Sequence, residues 1–123
     1  MTEYPPVLPA TKLIGSKIFN PAGEELGVLK DLVIDPEEGH IAYAVLSFGG
    51  LLGLGDKWFA IPWEALLLNP KAQTLILDVE KEVLKEAPGF DKDRWPTDAQ
   101  YEAGWLLDIY EYYGYSPYWI PGK

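Results

Sequence analysis

The feature that most limits the fold of this chain is the short interval between turn signals across residues 11–79. They fall at Asn20-Pro21-Ala22-Gly23, at Asp35-Pro36-Glu37-Glu38-Gly39, from Gly49-Gly50 to Gly55-Asp56, and at Asn69-Pro70-Lys71. Asn and Asp tolerate turn geometry, Pro presets φ and Gly supplies positive φ, so each cluster can reverse the chain. The segments between them suit strands: 27–34 (GVLKDLVI), 41–48 (IAYAVLSF), 57–61 (KWFAI) and 73–79 (QTLILDV). Strands of this size between frequent turns predict an antiparallel all-β barrel or sandwich and exclude βαβ units.

Side-chain alternation agrees with that fold class. In 41–48, Tyr43, Val45 and Ser47 share one face, while Ala42, Ala44, Leu46 and Phe48 share the other. Two apolar faces on one strand fit a small closed barrel whose outside is partly covered. In 74–79, Leu75, Leu77 and Val79 oppose Thr74, Ile76 and Asp78. Short helical pieces are expected at 62–66, opened by Pro62, and at 80–86, ended by Pro88-Gly89.

The C-terminal segment differs in kind. Thr97-x-x-Gln100 fits a capping box, Tyr101, Trp105, Ile109 and Tyr112 recur at helical spacing, and Gly114 sits where a helix ends. Gly104 falls inside that predicted helix at a cost of about 1 kcal/mol relative to Ala. The chain has 5 Trp, 8 Tyr and 4 Phe, and ten of these aromatics lie between Phe90 and Trp119. Such a segment either folds back over the barrel or offers anchors to a partner; because so apolar a surface rarely stays bare, a lid or a dimer contact is the expectation.

Composition removes several function classes. A length of 123 residues allows one domain. The absence of cysteine excludes disulfides, a thiolate nucleophile, Cys-ligated zinc and iron–sulfur clusters. A formal net charge of −9 opposes electrostatic capture of nucleic acid or an anionic membrane. Residues 1–10 lack a basic and an apolar region, so they read as a flexible Pro-rich leader and not a secretory signal. No stretch approaches the roughly 20 apolar residues that span a bilayer, and the expected location is cytoplasmic.

Candidate chemistry is sparse. The Gly49–Lys57 loop lacks a Lys directly after its last glycine and precedes a strand, against the pattern of a phosphate loop. Its Leu51, Leu52 and Leu54 suit a protein contact better. His40, the one histidine, has Asp35, Glu37 or Glu38 as possible orienting carboxylates but no nucleophile motif, and reads as a turn residue. The acids at Asp31, Asp35, Glu37 and Glu38 do not match a calcium loop. Trp58 and Trp63 read as core residues with their N–H groups at the rim.

Three blocks together carry a resemblance: Gly27-x-x-x-Asp31-Leu32-Val33-Ile34-Asp35-Pro36-x-x-Gly39, then the Ile41–Gly50 run IAYAVLSFGG, then Phe59-Ala60-Ile61-Pro62-Trp63. In this order they resemble the PRC-barrel family, named for the cytoplasmic domain of the photosynthetic reaction-centre H subunit. The likeness spans residues 11–95, leaving 96–123 as an aromatic helical tail. The resemblance implies a mainly β fold, a small antiparallel PRC-type barrel with short helices, used as an interaction or assembly module. It implies no catalytic residue, cofactor or metal. The expected function is a non-enzymatic, self-associating protein-interaction module, a homo-oligomer or a binder of another protein, without nucleic acid or membrane insertion. The alternative is a ribosome-maturation accessory role like that of RimM, and a small-ligand binder or enzyme built on His40 follows. The candidate interaction residues are Leu51, Leu52, Leu54, Trp58, Trp105, Tyr112, Tyr113, Tyr118 and Trp119.

Overall fold

The computed structural model describes residues 7–48, 57–69, 74–91 and 104–120. Their elements are α1 (Ala10–Leu13), β1 (Lys17–Phe19), β2 (Glu25–Asp35), β3 (His40–Ser47), β4 (Lys57–Ile61), a 3-10 turn (Trp63–Ala65), β5 (Leu66–Asn69), β6 (Thr74–Leu77), α2 (Lys81–Lys85), β7 (Gly89–Asp91) and α3 (Trp105–Tyr113). The strands predicted at 27–34, 41–48, 57–61 and 73–79 correspond to β2, β3, β4 and β6.

All seven strands join one sheet in the order β5-β6-β1-β2-β3-β4-β7. Two expectations are corrected here. The sheet is mixed and not purely antiparallel, because β1 runs parallel to β6, with Ile18 opposite Leu75 and Phe19 opposite Ile76. Nor is the barrel closed by hydrogen bonds among the described residues, since β5 and β7 stand at opposite ends of the order. The reason is the passage from β4 to β5. Pro62 and the 3-10 turn carry the chain from one end region of the sheet to the other without a hairpin, so a covalent corner stands where a ladder was expected. Turn residues report reversals between neighbours, whereas the β1–β6 pair joins segments far apart in sequence.

The sheet curls around an aliphatic core. Ile18, Leu26, Leu29, Ala44, Leu46, Phe59, Ile61, Leu66, Leu75 and Leu77 converge in one buried cluster, with Leu84 of α2 added to it. Contributions from β5 and from β4 meet there, which brings the two ends of the sheet around the same interior. Burying each such side chain fully contributes about 1.5–3 kcal/mol. On the other face, Tyr43, Val45, Ala42, Ala60, Phe90 and Ile109 form a second cluster, with Val33, Trp58, Trp105, Leu106, Tyr113 and Tyr118 packed against it.

β3 is therefore buried on both sides, as its two apolar faces predicted. Ala42 departs from the expected alternation, joining Tyr43 and Val45 and not Ala44. Two irregularities in the β2–β3 pair explain this. Leu29 faces Leu46 and Asp31 faces Val45, so Lys30 is an extra residue on β2; Val33 faces Tyr43 and Ile34 faces Ile41, so Ala42 is an extra residue on β3. The first bulge also lets Leu29 and Leu32, three positions apart, both contribute to the interior.

Local chemistry fixes the corners. Asn20, buried in the β1–β2 turn, accepts the Glu24 N–H at 2.9 Å, and its amide donates to Glu24 Oε1 at 2.9 Å and to the Val79 carbonyl at 3.4 Å. Gly27 sits against the backbone of β3: a Cβ there would collide with the Ser47 carbonyl oxygen. Gly114 ends α3 with φ +82°, and the Gly114 and Tyr115 N–H groups bond the Glu111 and Tyr110 carbonyls at 3.1 and 2.9 Å. That is a Schellman termination, at the glycine expected to end the helix. Gly104 precedes α3 and does not lie within it, and the capping-box residues Thr97 and Gln100 lie outside the described residues.

Candidate interaction site

Two surfaces bear on interaction: the sheet face under the C-terminal segment, and the part of the same face that this segment leaves uncovered. Trp105 meets Tyr43 edge-on, with ring centroids 5.6 Å apart. Tyr110, fully buried, meets Trp119 edge-on at 5.0 Å, and Trp119 meets Tyr118 in the same way at 5.0 Å. Edge-to-face pairs of this kind contribute about 0.5–1.5 kcal/mol beyond their burial.

The polar ends of these rings set how the segment is seated. The Tyr110 hydroxyl lies 2.8 Å from the Ala42 carbonyl and 3.1 Å from Glu64 Oε1, so its proton has two acceptors. The bulge at Ala42 and this contact coincide: an extra residue on β3 offers its carbonyl to the helix. Tyr118 stacks on His40 with centroids 4.0 Å apart and 19° between planes, and its hydroxyl donates to Asp35 Oδ2 at 2.7 Å. His40 Nε2 lies 3.3 Å from Glu64 Oε2. The acid at His40 Nε2 is thus Glu64, which the sequence did not suggest, while Asp35, opposite His40 in the ladder, is joined to the ring through Tyr118. Asp35 instead holds its own turn, accepting the Glu37 and Glu38 N–H groups at 3.0 and 3.2 Å.

Protonation follows these contacts. The Tyr118 hydroxyl, then the Glu38 N–H, lowers the Asp35 carboxyl below the ordinary aspartate value. Burial pushes the Tyr110 phenol well up, and the Glu64 charge adds to it. Burial likewise raises Tyr118, reinforced by its bond to Asp35. Tyr113 is raised by burial, and among the described residues its enclosed hydroxyl has no hydrogen-bond partner.

The sequence-derived candidates are distributed as follows. Leu51, Leu52 and Leu54 lie outside the described residues. Trp58, Trp105, Tyr113 and Tyr118 pack on the second cluster, and Trp119 packs on Tyr110 and Tyr118. Tyr112 is 39% exposed and donates to the Val83 carbonyl at 2.6 Å. Sequence reading missed Glu64 and Tyr110 as members of the His40 cluster, because their partners are distant along the chain. An open groove of about 480 Å³ on the outward side of the segment, bordered by Leu107, Glu111, Tyr115 and Ile120, includes none of that cluster.

The uncovered part of the sheet face carries a row across three strands. Leu67 of β5 faces Ile76 of β6, which faces Phe19 of β1. Among the described residues none of the three joins either cluster, and Leu67 is 66% exposed. The run Leu66-Leu67-Leu68 was the available signal for β5, and it was not read as a strand.

A curled mixed sheet with one side filled by aliphatics and part of the other sealed by aromatics defines a small mainly-β module. The chain belongs to the PRC-barrel domain family: the family model matches residues 5–84 of the 123. No curated protein sequence matches it. Among solved structures it is similar to one described as a 16S ribosomal RNA processing protein, RimM, of Pseudomonas aeruginosa. That similarity has 20% identity and a TM-score of 0.42, over 61% of this chain and 45% of that one. The chain thus spans less than half the length of that protein. Among the described residues no helix is long and apolar enough to cross a membrane, and no three acidic or His side chains group to hold a metal ion.

Proposed function

We propose that the chain is a non-enzymatic interaction module that self-associates through the Leu67–Ile76–Phe19 row. The observation that carries this reading is the contrast within one sheet face: the chain's own aromatics seal one part, and on the other, among the described residues, Leu67 stands exposed beside the half-buried Ile76 and Phe19. Copies carrying a net charge of −9 repel each other, and these three uncharged side chains offer a contact with no charge to desolvate. A second copy presenting the same row is its self-complementary occupant, as a two-fold interface requires.

Sedimentation equilibrium of the full chain is the test. The expected result is a dimer at micromolar concentration that Leu67→Lys converts to monomer, with Tm equal to that of wild type at dilutions where wild type is itself monomeric, since Leu67 is mostly solvated in the single copy. A full chain that stays monomeric at every concentration overturns self-association. Co-sedimentation of that monomer with small ribosomal subunits at physiological salt would put a ribosome-linked role in its place.

A further inference from the structure

His40 is the one histidine of the molecule, and both of its ring nitrogens lie against acceptors. Nδ1 lies 2.6 Å from the Ile41 carbonyl oxygen, and Nε2 lies 3.3 Å from Glu64 Oε2. A carbonyl only accepts a hydrogen bond, and so does a carboxylate. The neutral ring has one N–H and can serve one of these acceptors, whereas the imidazolium serves both. The ring also lies 4.0 Å from the Tyr118 ring, nearly parallel, where a cation gains from the aromatic face.

Among the described residues, the titratable groups tied to His40 are acids and phenols and none is a cation: Asp35 from the end of β2, Glu64 from the 3-10 turn, Tyr118 from the segment after α3 and, through Glu64, Tyr110 of α3. Glu64 ties them together, with one oxygen toward His40 and the other toward Tyr110. Tyr118 makes the second tie, with its ring on His40 and its hydroxyl on Asp35.

We propose that His40 is a proton-sensitive clasp for the C-terminal segment: its charged form fastens Tyr118 and Glu64 and seats residues 105–120 on the sheet, and its neutral form loosens that seat. What loosening uncovers is the Tyr43, Val45, Ala60 and Phe90 face, a second apolar surface distinct from the Leu67 row. The clasp acts within one copy, so it stands or falls separately from self-association.

The test is amide hydrogen exchange on the full chain at about pH 8 and about pH 5.5, the interval in which an ordinary imidazole gains its charge. Exchange is expressed as protection factors, which divide out the intrinsic pH dependence. α3 has nine residues, too few to stay helical alone, so its amide protection reports docking. The expected result is that protection in α3 and at the Tyr115 amide rises about two- to fivefold on acidification, the scale of one partly exposed charged pair. β3 amides, read in the same sample, should not change. His40→Gln and Glu64→Gln should each abolish the pH response, while Tyr118→Phe, which keeps the ring but not the Asp35 bond, should retain it. Unchanged β3 protection in Glu64→Gln shows the sheet intact should His40→Gln fail to fold. An equal pH response in wild type and Glu64→Gln, or none in wild type, overturns the clasp.

Discussion

The two apolar clusters on either side of the sheet are built by different rules. The inner one is mostly Leu, Ile and Ala from six strands and α2, and nearly every member is fully buried. It holds by volume, and its side chains have no polar atom to place. The outer one is rich in rings, several of them only partly buried, and its cover is a segment whose Tyr110 and Tyr118 hydroxyls end on named acceptors. The inner cluster therefore sets how much stability the fold has, while the outer one sets where the segment sits. The lesson is that aliphatic packing tolerates small shifts in position and aromatic packing with polar ends does not.

Core truncation should have the largest effect. Leu46→Ala, emptying space in the inner cluster, is expected to cost about 2–5 kcal/mol and to lower the midpoint of the whole unfolding transition in urea. Tyr110→Phe should cost less, about 1–3 kcal/mol, because it leaves the buried Ala42 carbonyl without that donor. Its effect should be local: α3 loses hydrogen-exchange protection and the β1–β2 pair does not. Equal loss in both regions would erase the distinction between the clusters.

The pH dependence of the seat comes next. The Asp35 carboxyl is lowered in the folded chain, so its contribution is present above the ordinary aspartate value of about 4 and is lost as pH falls through the lowered value. Asp35→Asn should therefore be less stable than wild type at neutral pH and converge with it in acid, as read by thermal unfolding. Tyr110, Tyr113 and Tyr118 are raised, so their contribution is full below about pH 10 and is lost above it as the unfolded chain ionises first. Alkaline unfolding should accordingly be less steep in Tyr110→Phe. The smallest effect belongs to Tyr113→Phe. Its enclosed hydroxyl has no partner among the described residues, and removing it should leave stability within about 0.5 kcal/mol of wild type or raise it.

Much of the strand content could be read along the chain because β2, β3 and β4 carry their own signals: a turn at each end and apolar residues on known faces. β3 even announced both clusters through Leu46 and Val45. What escaped was whatever depends on a distant partner. β1 and β7 have three residues each and exist because neighbours pair with them. The parallel β1–β6 pair depends on where the chain returns after Pro62, which no local pattern encodes. At the site, Asp35 was visible as a neighbour of His40 but Glu64 was not, since Glu64 reaches the ring only once the 3-10 turn has packed beside β3. The tail aromatics were visible as a group, but the hydroxyl acceptors that seat them were not.

The paired bulges at Lys30 and Ala42 have a consequence of their own. Together they work like a frameshift and its suppressor: the first displaces the match between β2 and β3 by one residue, and the second restores it. Deleting Lys30 alone would leave the second offset uncorrected. The Asp35 end of β2 would then be out of step with the His40 end of β3. Deleting both would restore step throughout, but the strand would lose the Ala42 carbonyl to which Tyr110 is tied. The hairpin can therefore shorten only in matched pairs, and every such pair is also an edit to the seat of the tail.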